Sequence, residues 1–322
     1  NGAHSVNDGT MQVGDMMAFI QYTMQIIMAF LMICMISVML PRAAVSAERV
    51  DEVLQSNTMI LDPDQPEEIE DCRGEITFDH VSFRYPGAEE DVLEDLNFTA
   101  KPGQTTAIIG STGSGKSTLV NLIPRFYECS EGTIRLFGQD IRSFAPASIR
   151  KHIGIVPQKA AVFSGSLREN MQWGKKDASD TEIYQALTIA QAREFVDAKK
   201  EGLDLMIQQQ GSNLSGGQKQ RLTIARALVG APSILILDDS ASALDFATDA
   251  RLRKAIRENT GNTTVFIISQ RVSAVKNADR ILVMDDGRIA GCGTHRELLD
   301  SNEIYQEICA SQLSGKEAGA NV

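Results

Sequence analysis

The sequence predicts an α/β protein: a mostly parallel core sheet, an antiparallel β region, an inserted helical region, and one apolar helix ahead of them. Three observations carry this prediction. The glycine-rich stretch GSTGSGKS at 110–117 stands between a short apolar run and a helix-forming run. A second apolar run, SILILDDS at 233–240, ends in two successive aspartates. Finally, the 25 residues 16–40 carry no charge.

The charge-free stretch comes first. Bounded by Asp15 and Arg42, it reaches about 37 Å as a helix at roughly 1.5 Å per residue, enough to span a bilayer with some tilt. A signal peptide fits poorly, because the run is too long, no basic segment precedes it, and Pro41-Arg42 is no small-residue cleavage site. Gln21, Gln25 and Ser37 are expected to face neighbouring helices or a translocation path, a buried soluble helix being the alternative. The methionines between 16 and 39 read as adaptable filler among packed helices. Arg42 and Arg49 follow the run and no Lys or Arg precedes it, which places the rest of the chain in the cytoplasm and 1–15 in an extracytoplasmic loop. One helix cannot enclose a path for a solute, and residue 1 is Asn, so the chain is expected to be the carboxyl-terminal part of a longer polypeptide.

The helix and its cytoplasmic extension cover 16–50. Residues 51–75 then read as a helix continuation and an acidic linker, with Pro63, Pro66 and the run Asp62, Asp64, Glu67, Glu68, Glu70, Asp71 and Glu75 forming a solvated hinge. A net charge of −11 disfavours a nucleic-acid partner. The five cysteines, at 34, 72, 129, 292 and 309, show no paired spacing and fit a reducing compartment.

GSTGSGKS matches the P-loop pattern G-x-x-x-x-G-K-[ST], with Gly110, Gly115, Lys116 and Ser117 in the fixed positions. The predicted strand 105–109 precedes it and a helix over 117–123, stopped near Pro124, follows. Glycines such as Gly113 let the backbone, from Ser111 to Thr118, curl around phosphate oxygens. Lys116 adds a full positive charge and the Ser117 hydroxyl can ligate Mg²⁺. A glycine-rich turn with no ligand is the competing reading. Asp238 follows four apolar residues, so it is expected at the carboxyl end of a buried parallel strand, where it can orient Mg²⁺ and its water. LSGGQ at 214–218 precedes a helix over 218–229 closed by Gly230 and Pro232. A helix N-terminus presenting Ser215, Gly216, Gly217 and Gln218 is a second phosphate cradle.

With LSGGQ the chain resembles the ATP-binding cassette (ABC) transporters, whose signature motif this is, and the resemblance covers 76 to about 312. It implies a P-loop cassette with a helical insertion at about 165–230, a tail at 313–322, and ATP with Mg²⁺ as cofactors. It implies that Tyr85, in FRYPG, stacks on adenine. Gln158, in GIVPQ, would touch Mg²⁺ or the attacking water, and SALD at 242–245 would cross between two ATP-binding subunits. A membrane helix fused directly to the cassette is typical of exporters in this family. Taken alone, Tyr85 would read as a core or turn aromatic and Gln158 as a solvated strand-end residue.

Three positions depart from the family pattern. Asp239 stands where the family has the Glu that polarises water. A carboxylate one methylene shorter retracts by roughly 1.5 Å, whereas a general base must come within about 3 Å of its proton. Gln270, in FIISQR, stands at the switch histidine. An amide donates a hydrogen bond but shuttles no proton near pH 7. Gln208-Gln209-Gln210-Gly211 replaces G-E-x-G, removing the charge that would meet the membrane domain. Such a pattern resembles the degenerate half of heterodimeric bacterial multidrug exporters, in which each ATP lies between one subunit's P-loop and the other's signature. The expected partners are a second half-transporter, the lipid bilayer and an exported solute. The readings weighed against this are a homodimeric exporter hydrolysing ATP with Asp239 and a regulatory nucleotide-binding subunit without turnover.

Overall fold

A computed structural model describes residues 2–56, 58, 60–69, 74–240 and 243–319. Glu70, Asp71, Cys72 and Ser242 lie outside the described residues. The chain divides into two units, Asn1–Met59 and Ile60–Val322.

In the first unit a short helix, Gly2–Asn7, occupies part of the stretch expected as a loop, and the long helix Val13–Gln55 contains the whole charge-free run. Asp15 accepts from the Gln12 amide at 3.3 Å, which puts negative charge where the helix dipole favours it. Inside the apolar run, the Thr23 and Ser37 hydroxyls donate one turn back to the carbonyls of Phe19 and Ile33, at 2.8 and 2.9 Å. Hydrocarbon offers no partner for such groups, so this back-bonding satisfies them within the segment. Among the described residues it is the one helix long and apolar enough to cross a membrane.

The second unit is built on strands β1 (Ile76–Phe83), β2 (Leu93–Ala100), β3 (Thr105–Gly110), β4 (Glu131–Leu136), β5 (Gln139–Asp140), β6 (Ile153–Val156), β7 (Gly165–Ser166), β8 (Met206–Ile207), β9 (Ile234–Asp238), β10 (Thr264–Ile268), β11 (Arg280–Asp285) and β12 (Arg288–Gly293). One sheet has the order β2-β1-β4-β5 and is antiparallel. The central sheet has the order β12-β11-β3-β10-β9-β6, parallel except where β12 turns back on β11. Its inner strands are apolar on both faces, as burial under two layers requires: Ile234, Leu235, Ile236 and Leu237 are all buried.

Because β3, β10, β9 and β6 are parallel neighbours, the loops leaving their carboxyl ends emerge side by side. Ile108, Ile268 and Asp238 are in register across three strands, and Val156 pairs with Leu237 on the fourth. This topology brings the loops that begin at Gly110, Pro157, Asp239 and Ser269 to one edge, where ligands of open α/β sheets collect.

The inserted helices fall between β6 and β9: Leu167–Gln172, Asp180–Ile189, Arg193–Asp197 and Gly216–Leu228. Their starts are written in the sequence. Ser166 with Glu169, Ser179 with Glu182 and Ser215 with Gln218 each form a reciprocal capping box. Leu167, Ile183, Leu187, Leu222 and Ile224 bury their inward faces together.

Two features differ from expectation. Residues 61–69 are not a free hinge. Buried Arg125 needs acceptors for its guanidinium, and it donates to the carbonyls of Phe144 and Leu61 at 2.9 and 3.3 Å. The Glu67 amide donates to the Ser143 carbonyl at 3.0 Å, and Ile69 packs on the core. In addition, β12 and the helices His295–Ser301 and Glu303–Gly319 follow β11, where no element is named from the sequence, and Tyr305 and Cys309 bury against Ala274, Val275, Val283 and Leu298.

Candidate nucleotide site

The loop leaving β3 wraps round Lys116. Its Nζ donates to the Gly110 carbonyl at 3.0 Å, to the Ser111 carbonyl, and to Ser114 Oγ at 3.2 Å. The turn needs glycine at two places. Gly113 and Gly115 have φ of 88° and 90°, and a Cβ on Gly115 would stand 2.6 Å from Leu93 Cδ2. After Gly115 the chain enters the helix Lys116–Leu122, so the free amides of its first turn open toward the cleft.

Facing this loop, Ser117 Oγ donates to Asp238 Oδ1 at 3.2 Å. Asp239, the next residue, has φ of 42°, and its amide donates to the Ile268 carbonyl at 2.9 Å. Strand geometry would send successive side chains to opposite faces. The left-handed backbone breaks that alternation, and both carboxylates line one cleft of about 240 Å³. Thr112, Gly113, Gly115, Lys116, Ser117, Thr118, Gln158 and Gln270 line it too.

Burial pushes the Asp238 carboxyl above its usual value; the Ser117 hydrogen bond and the Lys116 charge oppose the rise, while Asp239 adds to it. Burial likewise raises Asp239, against the Arg271 charge, a hydrogen bond with Gln158 and the Lys116 charge. Burial lowers Lys116, against Asp238 and Asp239. These are the shifts of groups held out of water without their full counter-charge. An anion against Lys116 and a cation against Asp238 would relieve both. Among the described residues no three His, Cys, Asp or Glu side chains gather into a metal cage. The oxygen pair of Ser117 and Asp238 has the chemistry of a Mg²⁺ site, since that ion binds through one or two protein oxygens and borrows its remaining ligands from substrate phosphates and water.

Other residues singled out from the sequence lie elsewhere. Gly110 and Ser111 offer carbonyls to Lys116 and do not line the cleft. Half-buried Tyr85 lies edge-on to Phe83 and Tyr127, at 4.8 and 5.2 Å between ring centres, with its hydroxyl 3.1 Å from Thr118 Oγ1. Ser215, Gly216, Gly217 and Gln218 form the start of their helix, where Ser215 accepts from the Gln218 amide at 3.3 Å. None of these four lines the cleft. In the QQQG segment, Gln210 is left-handed at φ of 55° and the Gln208 side chain accepts from Ser212 at 3.0 Å.

Sequence reasoning missed Val92, Thr112, Ile268 and Ser269 in the cleft wall, and Arg271 beside Asp239. Thr112 occupies a variable position of the loop pattern, and Ser269 and Arg271 flank Gln270. For Val92 there was no signal, since it reaches the cleft only through sheet packing. Arg271 also lies over the exposed Phe246 ring, 5.6 Å from its centre.

Residues 93–242 match the family model described as ABC transporter. Over 315 residues the chain is 42% identical to an uncharacterized ABC transporter ATP-binding protein of Mycobacterium tuberculosis (strain ATCC 25618 / H37Rv), covering 97% of this chain and 54% of that protein. It is 42% identical over 321 residues to a probable multidrug resistance ABC transporter ATP-binding/permease protein of Bacillus subtilis (strain 168), covering 99% of this chain and 55% of that protein. The chain spans about half the length of the curated relatives it matches. A solved structure of a bacterial Atm1-family ABC exporter with ATP bound superimposes with a TM-score of 0.80 at 32% identity, over 94% of this chain and 53% of that one. The shared fold, joined to a loop and an acidic strand end that meet in one cleft, makes this chain the carrier of an ABC transporter ATP-binding domain preceded by an apolar helix.

Proposed function

We propose that the chain is the ATP-binding part of a membrane exporter assembled from two half-transporters, and that its own nucleotide site is the slow one of the pair. The observation that carries this reading is that Asp239 and Gln270 line the same cleft as Lys116, Ser117 and Asp238. The binding positions carry the residues that the resemblance implies, while Asp239 and Gln270 stand where it implies Glu and His. An exporter is favoured by the relative described as a multidrug resistance ATP-binding/permease protein and by the exporter that superimposes. In this reading 16–50 is the last membrane helix with its cytoplasmic extension, 1–15 is extracytoplasmic, and 76–312 is a cytoplasmic domain linked through 51–75. The whole transporter crosses the cell membrane several times.

Magnesium–ATP, when bound, supplies the phosphoanhydride whose cleavage drives transport. Lys116 and the loop amides would hold its phosphates, and Ser117 and Asp238 would hold the metal. Tyr85 is the adenine-facing aromatic. Gln158 and Asp239, hydrogen-bonded to each other in the cleft, would order the attacking water, but the short carboxylate is a poor base. Gln270 could donate a hydrogen bond to a phosphate there but could not move a proton. Ser215 and Gly217 lie outside this chain's own cleft; in this reading they would face the phosphates bound by the partner, whose own signature would close over Lys116.

The test is ATP binding and hydrolysis by the full chain alone and mixed with a half-transporter that has Glu and His at the corresponding positions. The chain alone is expected to bind ATP and turn it over slowly, and the pair to hydrolyse briskly. Brisk hydrolysis by the chain alone would instead favour a homodimer using Asp239.

A further inference from the structure

The segment carrying Gln270 is held by a side chain from the far end of the domain. Gln312 Nε2 donates to the Gln270 carbonyl at 2.6 Å, and Gln312 Oε1 accepts from the Val272 amide at 2.8 Å. We propose that Gln312 is a positioning residue: its amide clamps the backbone on both sides of Arg271, directly after Gln270, and so fixes how the Gln270 side chain meets the cleft and how Arg271 meets Asp239. The proposal rests on the reading of Gln270 as the switch residue.

The two bonds run in opposite directions between one planar side-chain amide and two backbone groups, so they fix the position and the tilt of the segment together. Val272 opens the helix Val272–Val275. Its amide has no partner inside that helix, and Gln312 supplies one. The rest of the segment is held from the opposite side: the Ser269 amide donates to the Ile108 carbonyl at 3.2 Å, and the Arg271 amide to Ser269 Oγ at 3.1 Å. Gln270 therefore sits between two anchors, the central sheet and the C-terminal helix. That helix is itself fixed. Tyr305 is fully buried on it, with its hydroxyl 2.7 Å from His295 Nδ1, and Cys309 packs one turn further on. A shift of the C-terminal helix would release the Gln270 carbonyl and the Val272 amide at once.

Two variants of the full chain separate the clamp from simple packing. Gln312→Met keeps length and bulk but removes both bonds. Gln312→Glu keeps an acceptor for Val272 and sets a carboxylate against the Gln270 carbonyl. Hydrogen exchange at the Val272 amide is expected to speed up about tenfold in Gln312→Met and to stay near parental in Gln312→Glu. Single-turnover ATP cleavage is expected to fall roughly three- to tenfold in both variants, with ATP affinity and melting temperature unchanged. Parental exchange in Gln312→Met would overturn the clamp. Faster exchange with a parental cleavage rate, or a rate loss that merely tracks lost affinity and stability, would overturn the positioning role. A parental chain without any turnover would refute the slow-site reading instead, and the exchange data would still decide whether the clamp exists.

Discussion

Ser117 and Asp238 stand 121 residues apart in sequence, yet the serine hydroxyl donates to the aspartate at 3.2 Å. One lies in the first turn of the helix after β3 and the other ends β9, with β10 between those strands. The parallel register places both at one sheet edge, so the pair proposed to hold the metal follows from the topology.

Asp238→Asn is expected to weaken Mg²⁺-dependent ATP binding by about tenfold or more, since bonds to a charged group contribute roughly 1.5–3 kcal/mol. Titration calorimetry with and without Mg²⁺ measures it, and the loss should vanish without the metal. The same change has a signature in the nucleotide-free protein. The Asp238 carboxyl is raised from 3.8 when folded. The folded state therefore holds this proton more tightly than the unfolded one, and stability declines as pH rises from about 4 through the raised value. Asparagine removes that penalty, so the variant's melting temperature should exceed the parental one at pH 7.5, with the gap closing near pH 4.

Lys116→Ala removes the one full charge in the loop. ATP affinity at this chain's site is expected to fall at least about a hundredfold, because charge-assisted phosphate contacts are the strong ones. Equilibrium binding of a fluorescent ATP analogue tests this. Parental affinity in the variant would mean that the loop is not the phosphate site.

Gly217→Asp separates the two faces of the chain. A Cβ there would meet only the Ala243 carbonyl at 3.4 Å and Leu244 Cδ2 at 3.9 Å, so the fold accommodates it. A carboxylate in the first turn even favours the helix, by about 0.3–1 kcal/mol. It would repel a partner's γ-phosphate. Hydrolysis by the assembled pair is expected to collapse while ATP binding by this chain alone stays parental. A pair hydrolysing at the parental rate would remove the head-to-tail arrangement.

The sequence made the cleft legible because its parts obey local rules. Glycine at 113 and 115 is demanded by backbone angles, Lys116 and Ser117 are fixed relative to them, and Asp238 ends a run too apolar to lie anywhere but in a buried strand. What stayed hidden depends on distant partners. The linker docks because Arg125, buried by tertiary packing, takes the Leu61 carbonyl. β12 reads RIAGCG, and its glycines mask the strand pattern. At Gly291 a Cβ would stand 2.5 Å from Asn302 Nδ2, the side-chain end that donates to the Ala290 carbonyl at 2.9 Å. Gln312 carries no local signal, since its partners lie 40 and 42 residues away.

The central claim is that this chain holds a competent nucleotide cradle with a disabled hydrolytic pair. Single-turnover ATP cleavage by the purified full chain, before and after the double change Asp239→Glu with Gln270→His, tests it most directly. The account predicts slow cleavage by the parental chain and at least a tenfold gain in the double variant, which needs only about 1.4 kcal/mol of transition-state stabilisation from a restored base and imidazole. Brisk cleavage by the unmodified chain, left unimproved by the double change, would contradict it.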